Sequence, residues 1–196
     1  DYGDRPTAEQ IRADLKLLSP YVQAVRTYSS TGGVEQVPAI AAELGLKVTL
    51  GIWIDKDEAR NEREIQSAIA LARRYSNVNA IVVGNETVLR ADKSVDDLID
   101  IIKRVKRHSS VPVTTGETHD VWLGLVDPSK GEGQEAAQKK LAAANKLAAA
   151  VDFIAVHILP YWGGVPANQA VDQTIRIYNQ MRSMYRGKRI VIAEFG

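Results

Sequence analysis

The stretch Ala80-Ile81-Val82-Val83-Gly84-Asn85-Glu86 decides how this chain is read. Its apolar, mostly β-branched start predicts a buried strand, which stops abruptly in a glycine, an amide and a carboxylate. The chain closes on a similar figure, Ile190-Val191-Ile192-Ala193-Glu194-Phe195-Gly196. Two buried strands are therefore expected, each delivering a glutamate at its C-terminal end, with Glu86 and Glu194 facing each other across one active site.

Outward from that stretch, helices and strands alternate. Thr7 and Gln10 match a capping box after Pro6, and Ile11, Leu15 and Leu18 share one face, which predicts a helix over 7–18. Strands are expected over 22–29, 47–54, 80–86, 112–118, 152–162 and 188–195. Further helices are expected from Gly33 to about 44, over 58–75, from Ser94 onward, within 131–150 and over 167–185, with Pro128 and Gly133 marking a loop before the fifth.

Such alternation calls for parallel strands joined by crossover helices, in either an open doubly wound sheet or a closed barrel. An open sheet often carries a glycine-rich phosphate loop, and neither GxGxxG nor GxxxxGK occurs. In a barrel, polar and aromatic residues at many strand ends converge on one site. Tyr28, Trp53 with Asp55, Asn85 with Glu86, Glu117, Tyr161 with Trp162, and Glu194 all stand at predicted strand ends. The expectation is an α/β chain of the (β/α)8 TIM-barrel type, cut to about six strands that count as two to seven. Residues 1–196 would then form one catalytic barrel domain, incomplete at both ends.

Composition narrows the function classes. With 196 residues, 45% of them hydrophobic, the chain is long enough to bury a core. Lys and Arg total 25 against 24 Asp and Glu, so the basic excess that nucleic-acid binding requires is missing. There is no cysteine, which removes disulfides, thiol nucleophiles and Cys-ligated metals. No apolar run approaches a membrane span, and the opening Asp1-Tyr2-Gly3-Asp4-Arg5 lacks the basic and apolar regions of a signal peptide, as a mature or excised domain also would.

Two carboxylates across an aromatic-lined cleft suit glycoside cleavage. One protonates the leaving oxygen and later serves as base, while the other attacks the anomeric carbon or activates water. Aromatic faces take the sugar's apolar C–H surface, and amides and acids take its hydroxyls.

Val83-Gly84-Asn85-Glu86 and Ile192-Ala193-Glu194-Phe195-Gly196, on strands that count as four and seven, resemble the retaining 4/7 glycosidases. Val25-Arg26-Thr27-Tyr28, Gly51-Ile52-Trp53, Thr115-Gly116-Glu117-Thr118 and His157-Ile158-Leu159-Pro160-Tyr161-Trp162 extend the likeness over nearly the whole chain. More narrowly, the chain looks like glycoside hydrolase family 17, the β-1,3-glucan enzymes, in its bacterial branch. That resemblance implies Glu86 as acid/base, Glu194 as nucleophile, and a glucosyl-enzyme intermediate. It also implies Asn85 on the sugar 2-hydroxyl, Tyr161 and Glu117 orienting the catalytic pair and binding sugar, Tyr28 beside them, and Trp53 and Trp162 stacking on sugar rings.

The substrate implied is a β-glucan oligosaccharide or polysaccharide, with no metal and no cofactor. The setting implied is periplasmic or extracellular, in a domain of a larger envelope protein. Glucanosyl transfer is the first reading and hydrolysis the second; a third, of another class, is an inactive glucan-binding module. A competing chemistry would gather His157, Asp55, Glu86, Glu117 and Glu194 around Mg²⁺ or Mn²⁺. A buried histidine bonded to a neighbouring acid is the commoner use of such a residue. His119 and Asp120 belong to the cleft rim or to loop packing. His108 with Lys103, Arg104, Lys106 and Arg107 reads as a solvated basic helix end.

Overall fold

The computed structural model describes residues 5–127, 129 and 131–196; Pro128, part of the loop expectation, lies outside them. The strands are β1 (Ala24–Arg26), β2 (Lys47–Ile52), β3 (Val78–Asn85), β4 (Val113–Thr118), β5 (Ile154–Ile158) and β6 (Ile190–Phe195). The helices are α1 (Ala8–Leu18), α2 (Val37–Glu43), α3 (Glu58–Arg74), α4 (Val95–His108), α5 (His119–Leu123), α6 (Gln134–Ala150) and α7 (Ala167–Met184). Strand order in the sheet is the order of the chain. This is the α/β alternation of a (β/α)8-type barrel, present as six strands.

The chain divides into two compact units, 1–85 with 103–113 and 86–102 with 114–196. In the first, β1, β2 and β3 are parallel neighbours, and α2 and α3 pack on β2. Val48, Leu50, Ile52, Ile40, Ala41, Ile65 and Ala68 bury its core. The capping box of α1 is formed in both directions, between Thr7 and Gln10. Ile11 and Leu15 of α1 are buried, but Leu18 is exposed, because α1 is 11 residues long against 7 in the α2 that it packs on. Gly51 is obligatory: a Cβ there would lie 2.2 Å from the Thr27 carbonyl oxygen. β1 is shorter than expected because the chain turns away after Thr27, carrying Ser29, Ser30 and Thr31 to the Glu64 carboxylate.

In the second unit β4, β5 and β6 are parallel neighbours, and α5 packs against β5, α6 and α7. Sequence periodicity misses α5, since five residues do not complete two turns. Its Trp122 is fully buried and donates from Nε1 to the Ala155 carbonyl at 3.0 Å, while Tyr185 donates its hydroxyl to the Trp122 carbonyl. β5 ends at Ile158, earlier than expected, because the chain turns at Pro160, whose carbonyl accepts from Gly163 and Val165.

One expectation about burial is corrected. β3 is buried along most of its length, but β6 is not: Ile192 and Phe195 are exposed and the other four residues are half-buried. β6 stands at the edge of the sheet, so its apolar run covers one neighbour only.

Candidate active site

Glu86 begins where β3 stops. Its φ is +53°, in the left-handed region that a residue with a Cβ enters at a cost of about 1–2 kcal/mol. The conformation is held from both sides: the Glu86 N–H donates to the Gly116 carbonyl at 2.7 Å, and the Glu86 carbonyl accepts from the Arg90 N–H at 2.9 Å. Strain of this kind turns the side chain off the line of the strand.

Glu194 is placed by a break in register. Val156 of β5 pairs with Ile192, but the next residue, His157, pairs with Glu194, so Ala193 is passed over. A bulge of this kind re-aims a side chain. His157 is fully buried between the two acids, with Nδ1 2.9 Å from Glu86 Oε1 and Nε2 3.4 Å from Glu194 Oε1. Glu86 and Glu194 each keep about a fifth of their side chain in contact with solvent. One donor atom from each of the three lies within 4.8 Å of the others. That spacing fits a shared proton as well as a shared cation, and the 2.9 Å contact has hydrogen-bond length.

Among the described residues, the acids beside His157 are Glu86 and Glu194. Asp55 accepts from Trp53 Nε1 at 3.1 Å and from Arg60 at 3.3 Å, within the first unit. Glu117 is fully buried, and its two oxygens accept from the Val88 N–H at 2.8 Å and the Leu89 N–H at 3.3 Å. Burial pushes its carboxyl up to about 7 and the neighbouring Glu86 adds to the rise, while the two N–H groups and Arg90 act against it. Glu117, expected to orient the catalytic pair and bind sugar, is buried in this structure and ties down the loop that follows Glu86.

Tyr161 and Trp162 stand on the turn after β5, exposed, with ring centroids 5.1 Å apart and edge to face. Tyr161 is thus a surface residue, and the residue lodged between the acids is His157. A cleft of about 470 Å³ is lined by Glu86, Thr118, His119, Asp120, His157 and Trp162 among others. His119 and Asp120 do belong to its wall.

The remaining expected residues stand in the first unit. Asn85 Oδ1 accepts from Arg26 Nη2 at 2.6 Å, and the Arg26 guanidinium lies 4.6 Å from the Tyr28 ring centre. Trp53 is half-buried, its backbone N–H held by Glu64 at 3.1 Å and its ring near Arg60. Sequence reading missed two organisers here, Arg26 and Glu64. Glu64 is fully buried and gathers Ser29, Ser30, Thr31 and Trp53 on one carboxylate. Its signal was its place on the inner face of α3, in helical spacing with Asn61, Ala68 and Ala72.

Comparison with known proteins completes the picture. A family model described as the BtgE/BtgC glycoside hydrolase domain matches residues 1–196. The chain belongs to that family. This BtgE/BtgC domain is similar to a probable glucan endo-1,3-beta-glucosidase, btgC, of Aspergillus fumigatus, with 26% identity over 97% of this chain and 28% of the relative. It is similar to a glucan 1,3-beta-glucosidase of Schizosaccharomyces pombe, with 30% identity over 78% of this chain and 46% of the relative. Among solved structures it resembles a glycoside hydrolase family 17 beta-1,3-glucanosyltransferase from Rhizomucor miehei, with 25% identity, a TM-score of 0.75, and coverage of 97% of this chain and 66% of that one. The BtgE/BtgC domain thus spans between about a quarter and two thirds of these relatives, all three of them fungal. Among the described residues no helix is long and apolar enough to cross a membrane.

Proposed function

We propose that the chain acts on β-1,3-glucan by double displacement with net retention, Glu86 serving as acid/base and Glu194 as nucleophile. The observation that supports this most is the spacing of the two carboxylates, whose nearest donor oxygens come within 4.8 Å. Retaining pairs stand about 5–5.5 Å apart, whereas inverting pairs leave roughly 6.5–9.5 Å for a water. In the first half-reaction a Glu194 oxygen attacks the anomeric carbon, the C–O bond to the leaving sugar breaks, and Glu86 protonates that oxygen. In the second, Glu86 takes the proton of an incoming hydroxyl, whose oxygen displaces Glu194.

A sugar hydroxyl at that step gives transfer and water gives hydrolysis. Transfer is our first reading, in keeping with the Rhizomucor miehei enzyme; hydrolysis is favoured by the names of the two glucosidase relatives. Trp162 and Tyr161 would stack on sugar, Glu117 would hold the loop after Glu86, and Asn85, Tyr28 and Trp53 are proposed as further sugar-binding residues. A periplasmic or extracellular setting within a larger envelope protein suits a polysaccharide substrate. The bacterial branch rests on the motif resemblance alone, since the relatives named above are fungal.

Laminari-oligosaccharides test the proposal. Longer or branched products signify transfer, and shorter ones alone signify hydrolysis. Proton NMR of the first-formed anomer is expected to show the β configuration. Glu86→Gln and Glu194→Gln are each expected to lower turnover about 10²-fold or more while glucan binding persists. Turnover indifferent to both substitutions would refute the reading, and binding without turnover in the unmodified chain would leave the glucan-binding module.

A further inference from the structure

The catalytic roles above leave a buried titratable group without a task. His157 has no solvent contact, yet its two ring nitrogens address two different carboxylates at 2.9 and 3.4 Å. Packing alone does not call for this: a core imidazole is satisfied by one carbonyl and one N–H, and here the register break brings Glu194 alongside it instead. We propose that His157 is a positioning residue that stores the proton shared by Glu86 and Glu194, so that the pair carries it in each half-reaction without a change of net charge. This rests on the assignment of Glu86 and Glu194 given above.

The balance is as follows. At rest the ring carries a proton on each nitrogen and faces two carboxylates, for a net charge of −1. As the glycosidic bond breaks, the Nδ1 proton passes to Glu86 and on to the leaving oxygen, while Glu194 becomes a neutral glycosyl ester. The ring is then neutral with its proton on Nε2, Glu86 is a carboxylate, and the net charge is again −1. In the second half-reaction Glu86 takes the proton of the incoming hydroxyl and returns it to Nδ1 as Glu194 is released. Two carboxylates within 4.8 Å repel when both are ionised, and a cation between them offsets that repulsion.

The groups facing His157 are Glu86 from the loop after β3, Glu194 from β6, and, on the β4 side, Thr118 at its register position with Glu117 beside it. His119 and Asp120 of α5 share the cleft wall, and Arg90 acts on Glu117. Loss of the imidazole would remove the two ring nitrogens, 2.9 and 3.4 Å from the carboxylates, on which the shared proton is stored.

Two measurements on the full chain, both in EDTA, decide the matter. Ring ¹⁵N shifts of the three histidines are followed against pH in the unmodified protein, Glu86→Gln and Glu194→Gln. His157 is expected to be doubly protonated in the unmodified protein at acid and neutral pH, and each substitution is expected to lower its midpoint by about one pH unit or more. A His157 that stays neutral throughout, or titrates alike in all three proteins, overturns the proposal. This reading needs no turnover, so it stands apart from failure of the functional assignment. In kinetics, His157→Gln is expected to cost about 10-fold near pH 5 and about 100-fold near pH 8, as the alkaline limb moves down. An equal loss at every pH would assign the ring to packing and overturn the proposal as well.

Discussion

Replacing Glu117 with Gln should reverse the order of stability between two proteins as pH rises. The carboxyl is fully buried and pushed up from 4.5 to about 7, so the folded chain binds its proton more tightly than the unfolded chain does. Its contribution to stability is therefore fully present below about pH 4.5 and is lost as pH rises to about 7. At about 1.4 kcal/mol per pH unit, the loss is on the order of 3 kcal/mol. Glutamine removes that dependence but can satisfy only one of the two N–H groups that Glu117 holds, Val88 and Leu89. The orphaned N–H costs about 1–3 kcal/mol at every pH. Near pH 5 the variant should be the less stable protein; near pH 8 it should be equal or more stable. For a chain of this length the swing is about 6–12 °C in Tm. Thermal unfolding of both proteins at matched ionic strength from pH 5 to 8 cancels the groups they share. A Tm difference that stays within about 2 °C across that range would refute the reasoning.

Three further outcomes follow from the structure. Gly51→Ala should destabilise the chain by about 3 kcal/mol or more in urea unfolding, because the new Cβ meets the backbone of Thr27 and Tyr28 and not a side chain that can move aside. Trp162→Ala should leave Tm unchanged, since the ring is exposed, and raise KM for laminari-oligosaccharides about 3- to 10-fold with kcat unaltered. Arg104→Ala removes a pair of 2.7 Å bonds to Glu62, whose carboxyl the guanidinium holds down at about 2. That contribution is present above about pH 4.5 and lost as pH falls toward 2; with both side chains about two-fifths exposed, it should be under about 1 kcal/mol by urea unfolding at pH 7, and smaller in high salt.

The comparison between sequence and structure turns on range. Helix and strand identities were legible because they depend on neighbours in the chain: the Thr7 and Gln10 cap and the apolar run into Glu86 both act over a few residues. The alternation of those elements, and the polar residues at their ends, were enough to choose the barrel type and to single out Glu86 and Glu194. What the sequence could not display was depth. β6 has as apolar a run as β3, yet it lies at the sheet edge and is half-exposed, because burial depends on which strands flank it. Glu117 and Glu194 are both strand-end glutamates; one is sealed in and bonded to backbone, while the other remains in contact with solvent.

By itself, then, the sequence determined the six strands and every α-helix but α5, the parallel α/β order and the two carboxylates that a glycosidase reading needs. Tertiary structure alone decided that they are brought within 4.8 Å, and that an imidazole stands between them. The cause is a single residue of register. With Ala193 in step, His157 would pair with Ala193; the bulge advances β6 by one and sets Glu194 beside the ring. A strand's side-chain period is two, so one residue of slip changes which side chain meets the site, and no local propensity records it.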